Sequence, residues 1–301
     1  MHAISTRIRS RKPKIADSTV TMYARNVLRL KRISSSLDPK ILEPYLAKQT
    51  PGSAELLATT LVVFLDDGAS KDWAREQLDK YHKVSSDQRD LQRLTDKEAQ
   101  NWTDVRTIRA ALRRMGKDIE TRNLFTKKTL RHRDYRLLLG YVCLRIHDEY
   151  HLRADLPTMQ IYKTEKEADG ANAYILDRNE LILYTFKTSP HFKRRKQLPI
   201  RLRVSRKLHS LIKRFHDRFG HFVCWMNGKR LTKRAYRDML YGITEEYMGV
   251  RLGPTMLRHI YLTYFLRGNP TLKARKQKLY DMQQLNLETQ FRYDRHVKVI
   301  G

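Results

Sequence analysis

Cysteine, proline, glycine and long apolar runs are all scarce in this chain of 301 residues. The two cysteines, Cys143 and Cys224, are too few for a disulfide scaffold or a zinc site, which indicates a reducing, intracellular compartment. Nine prolines and twelve glycines are too few for long flexible regions. No stretch approaches the roughly 18 apolar residues of a membrane span, and residues 1–16 lack the apolar core of a signal peptide. We therefore expect a folded protein with no membrane partner.

Acidic residues are also in short supply. Lysine and arginine number 61, whereas aspartate and glutamate number 32, so the formal net charge is +29. An excess of this size favours a polyanionic partner, because bound cations release condensed counterions from a nucleic acid. A membrane surface fits less well, since no basic amphipathic segment carries a tryptophan and phenylalanine face. A basic protein without such a partner is the plainer alternative.

The pattern along the chain predicts two domains behind a basic arm. Residues 1–16 are rich in arginine and lysine, and we interpret them as a flexible arm that contacts phosphate or serves as a nuclear address. Helical spacing predicts an all-helical domain over residues 17–95. Over residues 96–301 helices flank a β-hairpin that turns at residues 177–179, and a third strand begins at Lys196. The expected fold class is mainly α with a small antiparallel β-sheet.

Two stretches near the C-terminus hold the most distinctive polar residues. Apolar residues recur at three- and four-residue steps over residues 256–265, which predicts a helix. Arg258 then falls in the first turn at the edge of the apolar stripe, where its guanidinium can reach outward. Tyr293 lies about 200° around a helical wheel from Phe291, at about 100° per residue, so it points away from the apolar pair of Leu287 and Phe291. Taken singly, each is more often an ordinary surface or packing residue.

The order of these motifs resembles the signature of the tyrosine recombinases, or integrases. Leu257-Arg258-His259 opens a helix, and residues 287–293 read Leu-Glu-Thr-Gln-Phe-Arg-Tyr. The resemblance covers most of the chain and implies a helical core-binding domain ahead of a mixed α/β catalytic domain. It also implies cleavage of double-stranded DNA through a 3′-phosphotyrosine intermediate with a free 5′-hydroxyl. Neither a metal nor an organic cofactor is expected for this chemistry.

The resemblance assigns the nucleophile and two arginines. Tyr293 would attack the phosphodiester, while Arg145 and Arg258 would bind its non-bridging oxygens through their planar forks. An apolar helix delivers Arg145 with Asp148 three residues on, as in the family, and Arg153 is the alternative for this first arginine. From the residues alone, an ion pair between Arg145 and a neighbouring carboxylate at a surface corner is an equally good interpretation.

The resemblance also assigns a lysine. Lys187 follows the second predicted strand and precedes a basic turn, and it would protonate the departing 5′-oxygen. Lys193 is the alternative for this role. A lysine at a strand end is otherwise an ordinary solvated residue that protects the edge of a sheet.

Two positions depart from the family pattern. Thr255 stands three residues before Arg258, where the family usually has histidine, and Gln284 stands where it usually has histidine or tryptophan. A threonine hydroxyl or a glutamine amide can bond to a phosphate oxygen, but the hydroxyl cannot carry a proton near neutral pH. His259 is no simple substitute, because it lies four residues beyond Thr255.

The expected function is that of a site-specific DNA recombinase or integrase acting as a homo-oligomer, a synaptic tetramer on DNA. Eight residues follow Tyr293, so exchange of a C-terminal helix between subunits would be minimal. A catalytically weak or inactive DNA-binding or packaging protein with the same fold is the alternative, and a type IB topoisomerase is a further one. The basic arm and the type of motifs favour a virus or mobile element of a eukaryote as the source. The expected location is therefore the nucleus or the virion, and otherwise the cytoplasm.

Overall fold

The computed structural model describes residues 1–90, 94–153, 155–186 and 188–282. Helices predominate in these ranges and accompany one four-stranded sheet. This confirms the expected fold class of mainly α with a small sheet, although the sheet is mixed instead of purely antiparallel. The chain divides into two compact units, Met1–Leu91 and Gln92–Gly301.

None of the helices in the described ranges has the length and apolar character that crossing a membrane requires.

The first unit is built around its most apolar helix. Its helices are α1 (His2–Arg11), α2 (Asp17–Lys31), α3 (Pro39–Ala47), α4 (Pro51–Phe64) and α5 (Ala69–Asp90). Helices α1, α2, α3 and α5 all pack against α4. Its apolar residues, among them Leu57 and Leu61, are buried on several sides of the helix. Such all-round burial is typical of a central helix.

The N-terminal residues form a helix, where a flexible arm is expected over residues 1–16. Ile8 of α1 is fully buried in the core of the first unit. Arg7 and Arg11 donate hydrogen bonds to backbone carbonyl oxygens at the C-terminal end of α4. Those carbonyls lack partners within their own helix and carry partial negative charge, so guanidinium groups stabilise them. The sequence predicted a flexible arm because basic residues dominate this segment, and the burial of one isoleucine among them could not be inferred.

The second unit is organised around α8. Its described helices are α6 (Asp96–Gln100), α7 (Val105–Thr121), α8 (His132–Glu149), α9 (Ser189–Arg194), α10 (Arg206–Phe219), α11 (Lys233–Met248), α12 (Pro254–Arg267) and α13 (Leu272–Asp281). Helices α7, α10, α11 and α12 all contact α8. Leu138, Val142 and Ile146 of α8 are fully buried between them. The end of α8 is therefore held at a fixed place in the unit.

The sheet of the second unit runs in the order β1 (Gln160–Tyr162), β2 (Ala173–Ile175), β3 (Glu180–Leu183) and β4 (Ile200–Arg203). Strand β1 is parallel to β2, and the other pairs are antiparallel. The predicted hairpin is confirmed, with Asn179 at a φ of 55° in its turn. Strand β1 was not predicted. Helix α9 occupies part of the expected basic turn, and the last strand begins at Ile200 instead of Lys196.

Helices α8 and α11 approach closely at Gly140. A Cβ atom added there would lie 2.9 Å from Cγ1 of Ile243, inside normal van der Waals contact. We expect Gly140→Ala to lower the free energy of unfolding by about 1–3 kcal/mol through overpacking, although alanine has the better helix propensity. Gly242→Ala in α11 is the matched control, because its nearest neighbour is the flexible end of Arg136 at 3.6 Å. Urea unfolding measures both variants, and a Gly140→Ala midpoint at or above that of Gly242→Ala contradicts this packing.

Candidate active site

The last turns of α8 place Arg145 and Asp148 on one side of the helix, three residues apart. The Arg145 side chain keeps 31% of its exposure, and its Nη1 lies 3.7 Å from Oδ2 of Asp148. Arg109 of α7 donates from Nε to Oδ1 of Asp148 at 3.1 Å. The hydroxyl of Tyr261 in α12 donates to the same oxygen at 3.0 Å. One carboxylate therefore joins three helices.

Helix α12 carries Arg258 into the interior. The residue is only 2% exposed, so the expected outward reach of its guanidinium is wrong for this structure. Nη2 of Arg258 donates to the backbone oxygen of Met282 at 3.0 Å, directly after α13. The prediction failed because residues on several sides of α12, including Leu257, His259 and Ile260, are buried. A buried guanidinium is stable only when such acceptors satisfy it.

Tyr261 connects the two helices that carry the predicted arginines. Tyr261 lies one helical turn beyond Arg258, and its hydroxyl bonds to the carboxylate that pairs with Arg145. Helices α8 and α12 also contact each other directly. Arg145 therefore pairs with a carboxylate to which α12, the helix of Arg258, also bonds. We call Arg145, Asp148, Arg258 and Tyr261 the arginine cluster.

His147 lies beside the arginine cluster and is fully buried. Its Nε2 is 2.8 Å from the hydroxyl of Tyr236 in α11. Burial, and next the positive charge of Arg258, lowers the pKa of His147 to about 3. The imidazole is therefore neutral at physiological pH, and it adds no positive charge beside the arginines.

His151 packs directly on the arginine cluster. Its ring stacks on that of Tyr261, with centroids 4.4 Å apart and an interplanar angle of 3°. Nδ1 lies 2.7 Å from the backbone oxygen of His147, so this nitrogen carries the proton and donates. Burial, and next the charge of Lys278, lowers the pKa of His151 well below its ordinary value. Sequence reasoning missed both histidines, although their spacing of one helical turn at the end of an apolar helix is a usable signal.

The predicted site residues on α12 differ in how far they are buried. Thr255 is exposed in the first turn of the helix. Arg258 and His259, one turn further on, are both buried. Thr255 therefore lies at the surface while Arg258 lies in the interior.

Three predicted site residues, Lys187, Gln284 and Tyr293, lie outside the described residues. The two alternatives weighed for the arginine and the lysine are within them. Lys193 is exposed on α9, and Arg153 is half-buried just beyond α8. Among the described residues, no group of three or more histidine, cysteine, aspartate or glutamate side chains is arranged to hold a metal ion.

Comparisons with known proteins show a likeness to solved structures but to no family model or curated protein. No protein-family model matches the chain, and no curated protein matches it. Among solved structures, the chain is similar to a crystal structure of XerA recombinase, with a TM-score of 0.44 and 10% sequence identity. The likeness covers 99% of this chain and 94% of that chain. At this TM-score it carries no conclusion about function.

Because His147 is buried in its uncharged form, we predict that the protein loses stability in acid. The unfolded chain takes up a proton near pH 6.5, whereas the folded protein does not until about pH 3. The contribution of His147 to the free energy of unfolding is therefore fully present above pH 6.5. Below that pH, the free energy of unfolding falls by about 1.4 kcal/mol per pH unit. His147→Gln should remove this part of the slope in urea unfolding measured between pH 7.5 and pH 5.

A matched control lies on the same helix. His132 is exposed near the start of α8, so His132→Gln should keep the slope of the wild-type protein. Equal slopes for His147→Gln and the wild type would show that His147 is not a buried neutral group.

Proposed function

We propose that this protein is a tyrosine recombinase that cleaves and rejoins double-stranded DNA through a 3′-phosphotyrosine formed by Tyr293. The observation that supports the proposal is that α8 and α12, the helices of Arg145 and Arg258, are joined through the bond between Tyr261 and Asp148. A phosphodiester gains negative charge on its non-bridging oxygens as a nucleophile attacks. Two guanidinium groups held by a rigid scaffold are suited to stabilise that charge.

In this proposal Arg145 binds the phosphate. It is partly exposed, and its 3.7 Å pairing with Asp148 is longer than a hydrogen bond. Asp148 takes its short contacts from Arg109 and Tyr261 instead. The donors of Arg145 can therefore turn to a DNA phosphate while Asp148 continues to hold the helices together.

Arg258 requires a change of surroundings when DNA binds. Its guanidinium is buried and donates to Met282 in the free protein. For Arg258 to contact a phosphate, the backbone at the end of α13 must therefore move away from its guanidinium. Binding of DNA would supply the free energy for this step. Because DNA would bind the open form of the protein more tightly than the closed form, it would shift the equilibrium toward the open form.

The charge of the chain supports DNA as the partner. A net charge of +29 favours a polyanion through release of its counterions. Exchange between two duplexes involves four strands, so we include assembly of a homo-oligomer on DNA in the proposal. Integration of a viral or mobile element within a eukaryotic nucleus is the setting that the motifs favour.

A DNA-binding or packaging protein without cleavage activity is the second candidate. Two observations favour it, since Thr255 lies at the surface and Arg258 is buried against Met282 in the free protein. In this case charge would account for binding, and Tyr293 would have no chemical role. The two candidates differ in one property, which is the covalent capture of DNA.

Covalent capture tests the proposal. A nicked duplex that carries the terminal sequences of the encoding element traps the cleaved product, because the short strand beyond the cleavage site diffuses away. We expect the wild-type protein to give a protein–DNA band that survives denaturation, and Tyr293→Phe to give none. Arg258→Lys should reduce the yield by about 10²–10³-fold, through the loss of preorganised donors. Tyr264→Phe is the matched control, because Tyr264 is 53% exposed on α12, and it should keep the band.

The remaining outcomes separate the candidates. Equal, salt-dependent binding by the wild type and by Tyr293→Phe, without a covalent band from either, supports the packaging role and contradicts the proposal. A covalent band with relaxation of supercoiled plasmid but no exchange of strands between duplexes indicates a topoisomerase.

A further inference from the structure

Residues 224–230 form a short hairpin between α10 and α11, which we call the 224–230 hairpin. Cys224 and Arg230 pair as an antiparallel bridge. The amide of Trp225 donates to the carbonyl oxygen of Lys229 at 2.7 Å. These bonds give the segment the shape of a narrow, two-stranded ribbon with a tight turn.

The base of the 224–230 hairpin is anchored on α8. The hydroxyl of Tyr135 donates to the backbone oxygen of Cys224 at 2.7 Å in the interior. The ring of Trp225 stacks on that of His132, with centroids 6.1 Å apart. Val223 is fully buried with a φ of 48°, a conformation that a β-branched residue keeps only when its surroundings enforce it. The hairpin is therefore held firmly in one orientation, which suits recognition of a partner of fixed shape.

The turn of the hairpin combines cations with an apolar side chain. Met226 keeps 45% of its exposure, and Lys229 and Arg230 are exposed beside it. Residues 218–237 contain no aspartate or glutamate, so every charged side chain of this stretch is basic. Such a surface complements duplex DNA, whose phosphates are anionic and whose major groove offers both acceptors and the methyl group of thymine.

The dimensions of the hairpin also suit the major groove. Paired strands lie about 4.8 Å apart, and a groove about 12 Å wide admits a two-stranded ribbon. Tyr135, which holds the hairpin, lies ten residues before Arg145 on α8, which is about 15 Å along the helix axis. That length corresponds to about four base pairs of duplex, so a short duplex spans both places.

We propose that the 224–230 hairpin enters the major groove beside the cleavage site and reads its base pairs. The inference rests on the proposed function and assigns the choice of DNA sequence to residues outside the arginine cluster. The guanidinium of Arg230 donates two parallel hydrogen bonds to O6 and N7 of a guanine, and Met226 packs on the methyl group of a thymine. Lys229 contacts a flanking phosphate, which carries no sequence information. The hairpin thus selects the site, and the arginine cluster acts on its phosphate.

Binding to two duplexes tests this assignment without requiring cleavage. One duplex carries the terminal sequence of the encoding element, and the other carries the same bases in scrambled order. Fluorescence anisotropy at one salt concentration gives both Kd values, and we expect the wild type to prefer the terminal sequence. Arg230→Lys keeps the charge and loses the planar fork, so it should lower the ratio of the two Kd values by about 5–150-fold. Met226→Ala should lower this ratio as well, and both variants should bind the scrambled duplex almost like the wild type.

A matched control lies in the other hairpin of the same unit. Arg178 is exposed in the turn between β2 and β3, where Nη1 lies 2.6 Å from Oε2 of Glu165. Arg178→Lys should keep the sequence preference of the wild type. Arg178, Met226 and Arg230 are all exposed, so none of these substitutions disturbs the core.

The other outcomes overturn the assignment. If Arg230→Lys weakens binding to both duplexes equally, or leaves the preference unchanged, the hairpin does not read bases. A wild type that binds both duplexes equally also overturns the assignment, while the proposed function is still decided by covalent capture of DNA. If the wild type binds neither duplex, the proposed function fails and the role of the hairpin fails with it.

Discussion

The carboxylate of Asp148 is the contact on which the candidate site depends. It accepts hydrogen bonds from Arg109 of α7 and Tyr261 of α12, and it pairs with Arg145 of its own helix. A largely buried carboxylate is stable only with such partners, so Asp148 and the three helices fix one another's positions. The same contact joins α12, the helix of Arg258, to α8, the helix of Arg145, although the two helices lie far apart in the sequence.

The surroundings of this cluster determine its charge. Burial keeps His147 and His151 neutral, because it lowers the pKa of each. The remaining positive charges come mainly from arginine side chains, which stay protonated over the physiological range. Asp148 balances only part of them. The site thus offers positive charge that does not vary with small changes of pH, a property suited to a phosphodiester.

Regular local patterns could be predicted from the sequence, whereas contacts between distant helices could not. The start of α12 at Pro254 and the hairpin turn at Asn179 follow from local residue preferences. The burial of Arg258 does not, because the guanidinium meets the backbone oxygen of Met282, which comes from a later part of the chain. Likewise, the stacking of His151 on the ring of Tyr261 in α12 could not be predicted, because the two residues are 110 positions apart in the sequence.

The central claim is that Arg145 and Arg258 bind one phosphate while Asp148 holds their helices. A crystal structure of the protein with a nicked duplex and orthovanadate, which imitates the five-coordinate phosphorus, tests it most directly. We predict both guanidinium groups within hydrogen-bond distance of the same vanadate, Arg258 released from Met282, and the contact between Tyr261 and Asp148 intact. DNA bound with its backbone away from Arg145, and Arg258 still donating to Met282, would contradict this account.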